Sequence, residues 1–160
     1  MGSGILLLII FTSVGFLSPG SVALCSVPYC PPPWTTFQKH CYMLVDQKMP
    51  WLDAEHYCQM LSRPGKMVHL ASIHSAEENS FISEYVKKVP TSSGSFWIGY
   101  NDRQREKHFK WTDGSNVTYD NWNAGEPNNI RDEDCVEKYY SKQTWNDRRC
   151  SKQLTFVCKI

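Results

Sequence analysis

Apolar residues change their spacing several times along this chain, and each change marks an element. Trp51, Ala54, Cys58 and Leu61 recur at the three-and-four spacing of one helix face, and Arg63-Pro64-Gly65 stops that helix. Phe81, Ile82, Tyr85, Val86 and Val89 make a second such stripe, and Ser75 followed by Glu78 is the capping-box signature of its start. Shorter runs read as strands. Residues 37–45 predict a strand or hairpin, 69–73 a short strand, 96–100 (FWIGY) a buried strand, and 108–114 (HFKWTDG) a strand ending in a turn. CVEKYY, TWNDRRC and LTFVCKI predict three more. Between them, residues 115–134 have little periodicity and many Asn, Asp and Gly; a loop that long inside a compact domain is usually functional. A strand, two helices and then strands around one long loop favour an α+β fold over a parallel α/β one.

The first residues modify this picture. An apolar run over residues 5–17, then Pro19, Gly20 and the small residues Ser21-Val22-Ala23, reads as a secretory signal over 1–23, although Lys and Arg are missing ahead of it. The run is too short to span a bilayer comfortably, and no second long apolar stretch follows, so the expectation is a secreted, extracellular chain without membrane insertion. What remains is enough for one domain. A formal charge of +1 gives no electrostatic reason to expect nucleic acid or an anionic membrane as partner. Of the aromatic residues, Trp97 in its apolar strand reads as core, whereas Trp111, Trp122 and Trp145 have both uses open to them, core mass or sugar platform.

Seven cysteines, at 25, 30, 41, 58, 135, 150 and 158, then lie in an oxidising compartment. No CxxC pair or finger-spaced His supports zinc, so six cysteines make three bridges and the seventh is left for an intermolecular bond or a free thiol. Asn116-Val117-Thr118 is a glycosylation sequon in a predicted turn. Ser72, His74 and Asp102 can be written as a triad, yet no nucleophile elbow or oxyanion loop accompanies them, and no enzyme is expected.

The stretch NAGEPNNIRDEDCVE, residues 123–137, concentrates hard oxygen. Glu126, Asn128, Glu133, Asn146 and Asp147 all carry oxygen donors, which without thiolate or imidazole suit Ca²⁺ as cofactor; a solvated acidic loop is the plainer alternative. Pro127 is the residue whose peptide takes the cis form at modest cost, aiming both neighbours at one ion. Ca²⁺ takes 6–8 oxygens, so about five side chains leave room for two vicinal sugar hydroxyls.

Taken together, the cysteine pattern with FWIGY, EPN and WND resembles the long form of the C-type lectin domain, over residues 30–160. The resemblance implies two helices, small antiparallel sheets within a mixed-sheet domain, a long calcium-binding loop, and bridges Cys30–Cys41, Cys58–Cys158 and Cys135–Cys150. It implies Glu126, Asn128, Glu133, Asn146 and Asp147 as ligands of the primary, sugar-binding calcium. The Glu-Pro-Asn order around cis Pro127 implies mannose-type sugars, on glycoproteins or microbial surfaces. An auxiliary calcium would use Asp102, Glu106, Asn129, Glu133 and Asp134, weakened because Asn129 stands where an aspartate is often found. Residues 24–29 form a lead outside the resemblance; its unpaired Cys25 would either join a disulfide-linked homodimer or be capped. The rival expectation is a domain of this fold that binds a protein, mineral or ice surface.

Overall fold

The computed structural model describes residues 30–89 and 94–160. The expected signal segment, the lead and Cys25 lie outside the described residues. Strand β1 (Thr35–Phe37) and β2 (His40–Met49) form the opening hairpin, followed by helix α1 (Trp51–Met60), β3 (His69–Leu70) and helix α2 (Ala76–Lys87). The remaining strands are β4 (Ser95–Asn101), β5 (Lys110–Trp111), β6 (Cys135–Tyr139), β7 (Trp145–Arg148) and β8 (Leu154–Lys159). They join in one eight-stranded sheet ordered β1-β2-β8-β4-β6-β7, with β3 on β8 and β5 on β4. All the pairings are antiparallel except β4 on β8, and that parallel pair fuses what would otherwise be separate small antiparallel sheets.

The period of two in the strands divides the core. Trp97 and Phe156 pack on one side with Trp51, Ala54 and Cys58 of α1, whereas their neighbours Ile98 and Val157 pack on the other with Ile82 and Val86 of α2. The larger aliphatic and aromatic ones, such as Ile82, Val157 and Phe156, each contribute about 1.5–3 kcal/mol when fully buried. Trp97, Trp111 and Trp145 are all core residues, removed from any sugar. Gly99, between Ile98 and Tyr100, has a steric reason: a Cβ there would lie 2.6 Å from the Leu70 carbonyl and 2.7 Å from Thr112 Oγ1.

Three disulfides brace the domain: Cys30–Cys41 across the first hairpin, Cys58–Cys158 from α1 to β8, and Cys135–Cys150 from β6 to the turn after β7. The second closes 100 residues, worth about 4.7 kcal/mol if it acts by restricting the unfolded chain.

Two expected strands come out shorter. Only His69–Leu70 of 69–73 joins the ladder: Ala71 still bonds across, its N–H to Val157 and its carbonyl to the Gly99 N–H, but the chain then turns toward α2. Only Lys110–Trp111 of 108–114 pairs, because the turn already begins at Thr112.

Glu78 departs further from its expected role. The Ser75 hydroxyl accepts from the Glu78 N–H, as a cap requires, but the Glu78 carboxylate turns inward, accepting from the His74 N–H at 2.8 Å and from the Tyr42 hydroxyl and meeting Lys159 Nζ at 2.6 Å. Burial alone would push this carboxyl up; the hydrogen bond and charge of Lys159, with Tyr42 and the His74 amide, hold it below its ordinary value. Lys159 also donates to the Ser72 carbonyl at 3.0 Å, so the buried pair is fully hydrogen-bonded.

Lys138 has no such partner. It is fully buried on β6, donating to the Gln143 carbonyl at 2.9 Å, and burial, with some repulsion from Lys87, pushes its amine down from 10.5 to about 7. Between those values the unfolded chain binds a proton that the folded chain does not, so Lys138 makes stability rise with pH from about 7 towards 10. Urea midpoints of the wild type and of Lys138→Met should therefore converge, or the wild type should overtake, between pH 7 and pH 9. A gap that does not move with pH would mean that Lys138 stays charged in the fold.

Candidate functional site

The long loop between β5 and β6 has no strand pairing of its own beyond one bridge, Trp122 to Trp145. It is held from three sides. The Asn123 N–H donates to the Trp145 carbonyl at 2.8 Å, and the Trp145 N–H to the Asn121 carbonyl at 2.9 Å, which lays residues 121–123 along β7. Trp122 packs edge-on against Phe109, with ring centres 4.9 Å apart, beside the buried Tyr100, Trp111 and Trp145. The chain then turns at Gly125, whose φ of 88° favours glycine, and passes through a cis Glu126–Pro127 peptide.

Beyond the proline, Asp147 takes over. Its two carboxylate oxygens accept from consecutive loop amides, Asn128 N–H at 3.1 Å and Asn129 N–H at 2.7 Å. Asn128 Oδ1 accepts from the Ile130 N–H at 2.8 Å, and its amide group donates to Glu126. Asn129 Oδ1 accepts from the Glu133 N–H at 2.7 Å. These short side-chain loops accommodate the left-handed backbone at Asn129, Arg131 and Asp132.

Glu126, Pro127, Asn128 and Asp147 are thus brought into direct or adjacent contact. Asn146, the neighbour of Asp147 on β7, donates to Glu137 Oε1 at 3.0 Å; Glu137, which the sequence reading passed over, also accepts from the Ser95 hydroxyl at 2.7 Å. Its signal was faint: a glutamate beside a lysine in the short strand CVEKY.

The electrostatics are those of crowded acids. Glu126 has its carboxyl raised by burial first, then by its contact with Asp147 and by the charges of Asp147 and Glu133. Glu133 is raised by burial and by Asp147, against the pull of Arg148. Among the described residues no three His, Cys, Asp or Glu side chains gather as a chelating group by themselves, so a hard-cation site here needs the asparagine oxygens as well. The donor chemistry fits such a cation: it is all oxygen, from mutually repelling carboxylates and neutral amides.

The second group lies alongside. The Asp102 N–H donates to the Asp134 carbonyl at 3.0 Å, joining the β4–β5 turn to the long loop. Asp102 is 2% exposed; its Oδ2 accepts from the Lys107 N–H at 2.8 Å, but Oδ1 is buried without a partner among the described residues. Burial, with the charges of Glu106 and Asp134 and against the Lys107 hydrogen bond, raises its carboxyl to about 6. Asp134 is likewise raised by burial and then by Asp132 and Glu106. An orphaned carboxylate oxygen among like charges fits a cation. Asn129 counts the other way, since its amide donates to Glu106 Oε2 at 2.7 Å, where an aspartate would offer oxygen.

Elsewhere, Asn116 is exposed in an irregular segment. Ser72 Oγ lies 3.1 Å from His74 Nε2, but Asp113, at 2.5 Å, is the carboxylate that Ser72 reaches, while Asp102 is engaged with Lys107. No helix among the described residues is long and apolar enough to cross a membrane.

A disulfide-braced α+β domain that presents an irregular, oxygen-rich loop from the edge of its sheet is a ligand-binding module. The family model for the Lectin C-type domain matches residues 47–160, and the chain belongs to that family, generally a non-enzymatic carbohydrate-binding domain. It is 38% identical over 149 residues to a C-type lectin lectoxin of Thrasops jacksonii, covering 91% of this chain and 90% of that one. To an alpha-N-acetylgalactosamine-specific lectin of Patiria pectinifera it is 40% identical over 137 residues, covering 83% and 81%. Among solved structures, the C-type lectin CEL-I from Cucumaria echinata superposes with a TM-score of 0.79 at 32% identity, over 82% of this chain and 97% of that one. A calcium-independent type II antifreeze protein gives 0.71 at 30% identity, over 82% and 94%.

If Asp147 holds the loop, Asp147→Ala should remove about 1–3 kcal/mol of local protection, seen as faster hydrogen exchange at the Asn128 and Asn129 amides. Unchanged exchange there would mean that the loop is held by its other anchors alone.

Proposed function

We propose that this chain is a secreted, calcium-dependent lectin for mannose-type sugars, with a signal over residues 1–23, a lead over 24–29 and the lectin domain over 30–160. Glu126, Asn128, Glu133, Asn146 and Asp147 hold the primary ion, and Asp102, Glu106, Asn129, Glu133 and Asp134 the auxiliary one. The observation that carries the reading is the anchoring of Asn128 and Asn129 by Asp147 beside a cis Glu126–Pro127 peptide, which fixes acid and amide side chains at one exposed edge.

A calcium ion in this set would supply open coordination positions for two vicinal hydroxyls. The side chains do the rest: the Glu126 carboxylate accepts a hydrogen bond from a sugar hydroxyl, and the Asn128 amide donates one, so the acid–amide order sets which hydroxyl geometry is satisfied. Glu126-Pro127-Asn128 is the mannose-type order. One such shallow contact binds at about millimolar Kd, roughly 4 kcal/mol. Pairing two sites through Cys25 would raise avidity about 100-fold or more if both engage one surface.

A second reading is a domain of this family that binds a protein, mineral or ice surface, and the likeness to a calcium-independent antifreeze protein favours it. The alpha-N-acetylgalactosamine specificity of the starfish relative adds a third sugar to compare.

Refolded, oxidised mature protein should be retained on mannose-agarose with calcium, pass through galactose-agarose, and elute with EDTA. Passage through both columns by a protein that calcium nevertheless stabilises would leave the cluster a structural ion site and favour the second reading. The double variant Glu126→Gln with Asn128→Asp should move retention from mannose to galactose; unchanged mannose retention would refute the ligand assignment.

A further inference from the structure

Next to Glu133 the surface opens into a cleft of about 500 Å³ lined by Ile130, Arg131, Arg148, Arg149 and Lys152, a size within the range of small-ligand sites. Four cations face it against one lining carboxylate, on a chain whose formal charge is only +1. They come from two places in the sequence. Arg131 belongs to the long loop, and the other three to β7 and the turn that follows it; the β6–β7 hairpin and the Cys135–Cys150 bridge bring the two together.

The cations are poorly neutralised. Arg148 Nε lies 3.9 Å from Glu137 Oε1, beyond hydrogen-bond reach. Arg131, Arg149 and Lys152 are exposed, and none forms an ion pair among the described residues. Hydrogen bonds hold them together nonetheless: the Arg149 side chain donates from Nε to the Arg131 carbonyl at 2.9 Å, and the Lys152 backbone N–H to the Arg149 carbonyl at 3.0 Å. Asp132, the exposed acid next to Arg131 in the chain, does not line the cleft. Guanidinium groups gathered in a concave site favour an oxyanion with several acceptor oxygens over a neutral hydroxyl. Other exposed lysines and arginines are scattered singly or in pairs over the surface, whereas here four cations share one cleft that borders a proposed ion ligand.

We propose that this cleft is an anion subsite of the sugar site, so that the preferred ligand is a mannose-type sugar carrying a sulfate or phosphate ester. The proposal rests on the calcium-sugar reading above, which leaves the sugar's 6-position free to carry the ester. Ile130, 60% exposed, offers an apolar wall for the face of the same sugar.

The test is competitive elution of the oxidised mature protein from mannose-agarose in calcium by mannose, mannose 6-sulfate and mannose 6-phosphate. At least one ester should elute at about tenfold lower concentration than mannose, the scale of two or three exposed charge contacts. The advantage should shrink as salt is raised to 0.5 M, and comparison of the two esters tells which is preferred. Lys152→Gln should reduce the ester's advantage several-fold while elution by mannose itself stays the same, and adding Arg149→Gln should abolish the advantage. Equal concentrations for mannose and both esters, or an advantage untouched in both variants, would overturn the subsite and leave the calcium-sugar reading standing. Failure to bind mannose-agarose at all would overturn that reading, and the subsite with it.

Discussion

Strand β8 is the constraint on which the other elements depend. It pairs antiparallel with β2 on one edge and parallel with β4 on the other, is bridged to α1 through Cys58–Cys158, and places Lys159 against Glu78 at the start of α2. Helices and hairpins made earlier in the chain find their common partner only when residues 154–159 dock. A fold whose central contacts join residues about a hundred apart carries a large loop-closure cost before its core forms. The disulfide offsets part of that cost by restricting the unfolded chain. The two buried lysines sharpen the constraint: Lys159 is compensated on all sides, whereas Lys138 is tolerated by giving up its proton readily.

The loop has a different basis. It brings little regular structure and few buried residues, so its shape is borrowed from β7. Trp145 supplies both a backbone partner for residues 121–123 and an aromatic surface for Trp122, and two positions further along the same strand Asp147 receives the amides of Asn128 and Asn129. Core and site are therefore adjacent readings of one four-residue strand. Burial first, and then the crowding of neighbouring acids without a counter-charge, raises the carboxyls of Glu126, Glu133 and Asp134.

Where local pattern decides the outcome, the sequence was readable. The stripe from Phe81 to Val86 and the Ser75 cap make α2, and FWIGY makes β4. The oxygen-rich run around Pro127 marked the irregular loop, and there Asp147 meets the amides of Asn128 and Asn129. What depends on distant partners was not readable. Glu78 looks like a helix cap until Lys159, 81 residues away, is brought beside it. Residues 72–73 are strand-like in composition, yet the ladder ends before them because the chain must turn into α2. Arg131 and Arg149 are ordinary surface arginines in the sequence, and only the β6–β7 hairpin makes them neighbours.

The anchoring of the loop by one buried aspartate has an evolutionary consequence. Asp147 and Asn146 are buried and belong to the sheet, whereas Asn128 and residues 130–132 are exposed, with side chains outside the core. Substitutions at those outer positions leave the packed interior untouched, and residues that tolerate the left-handed backbone at Arg131 and Asp132 carry little stability penalty there. Lineages that inherit this strand can therefore explore new ligands at a handful of exterior codons, drifting through intermediate preferences without passing through an unfolded ancestor.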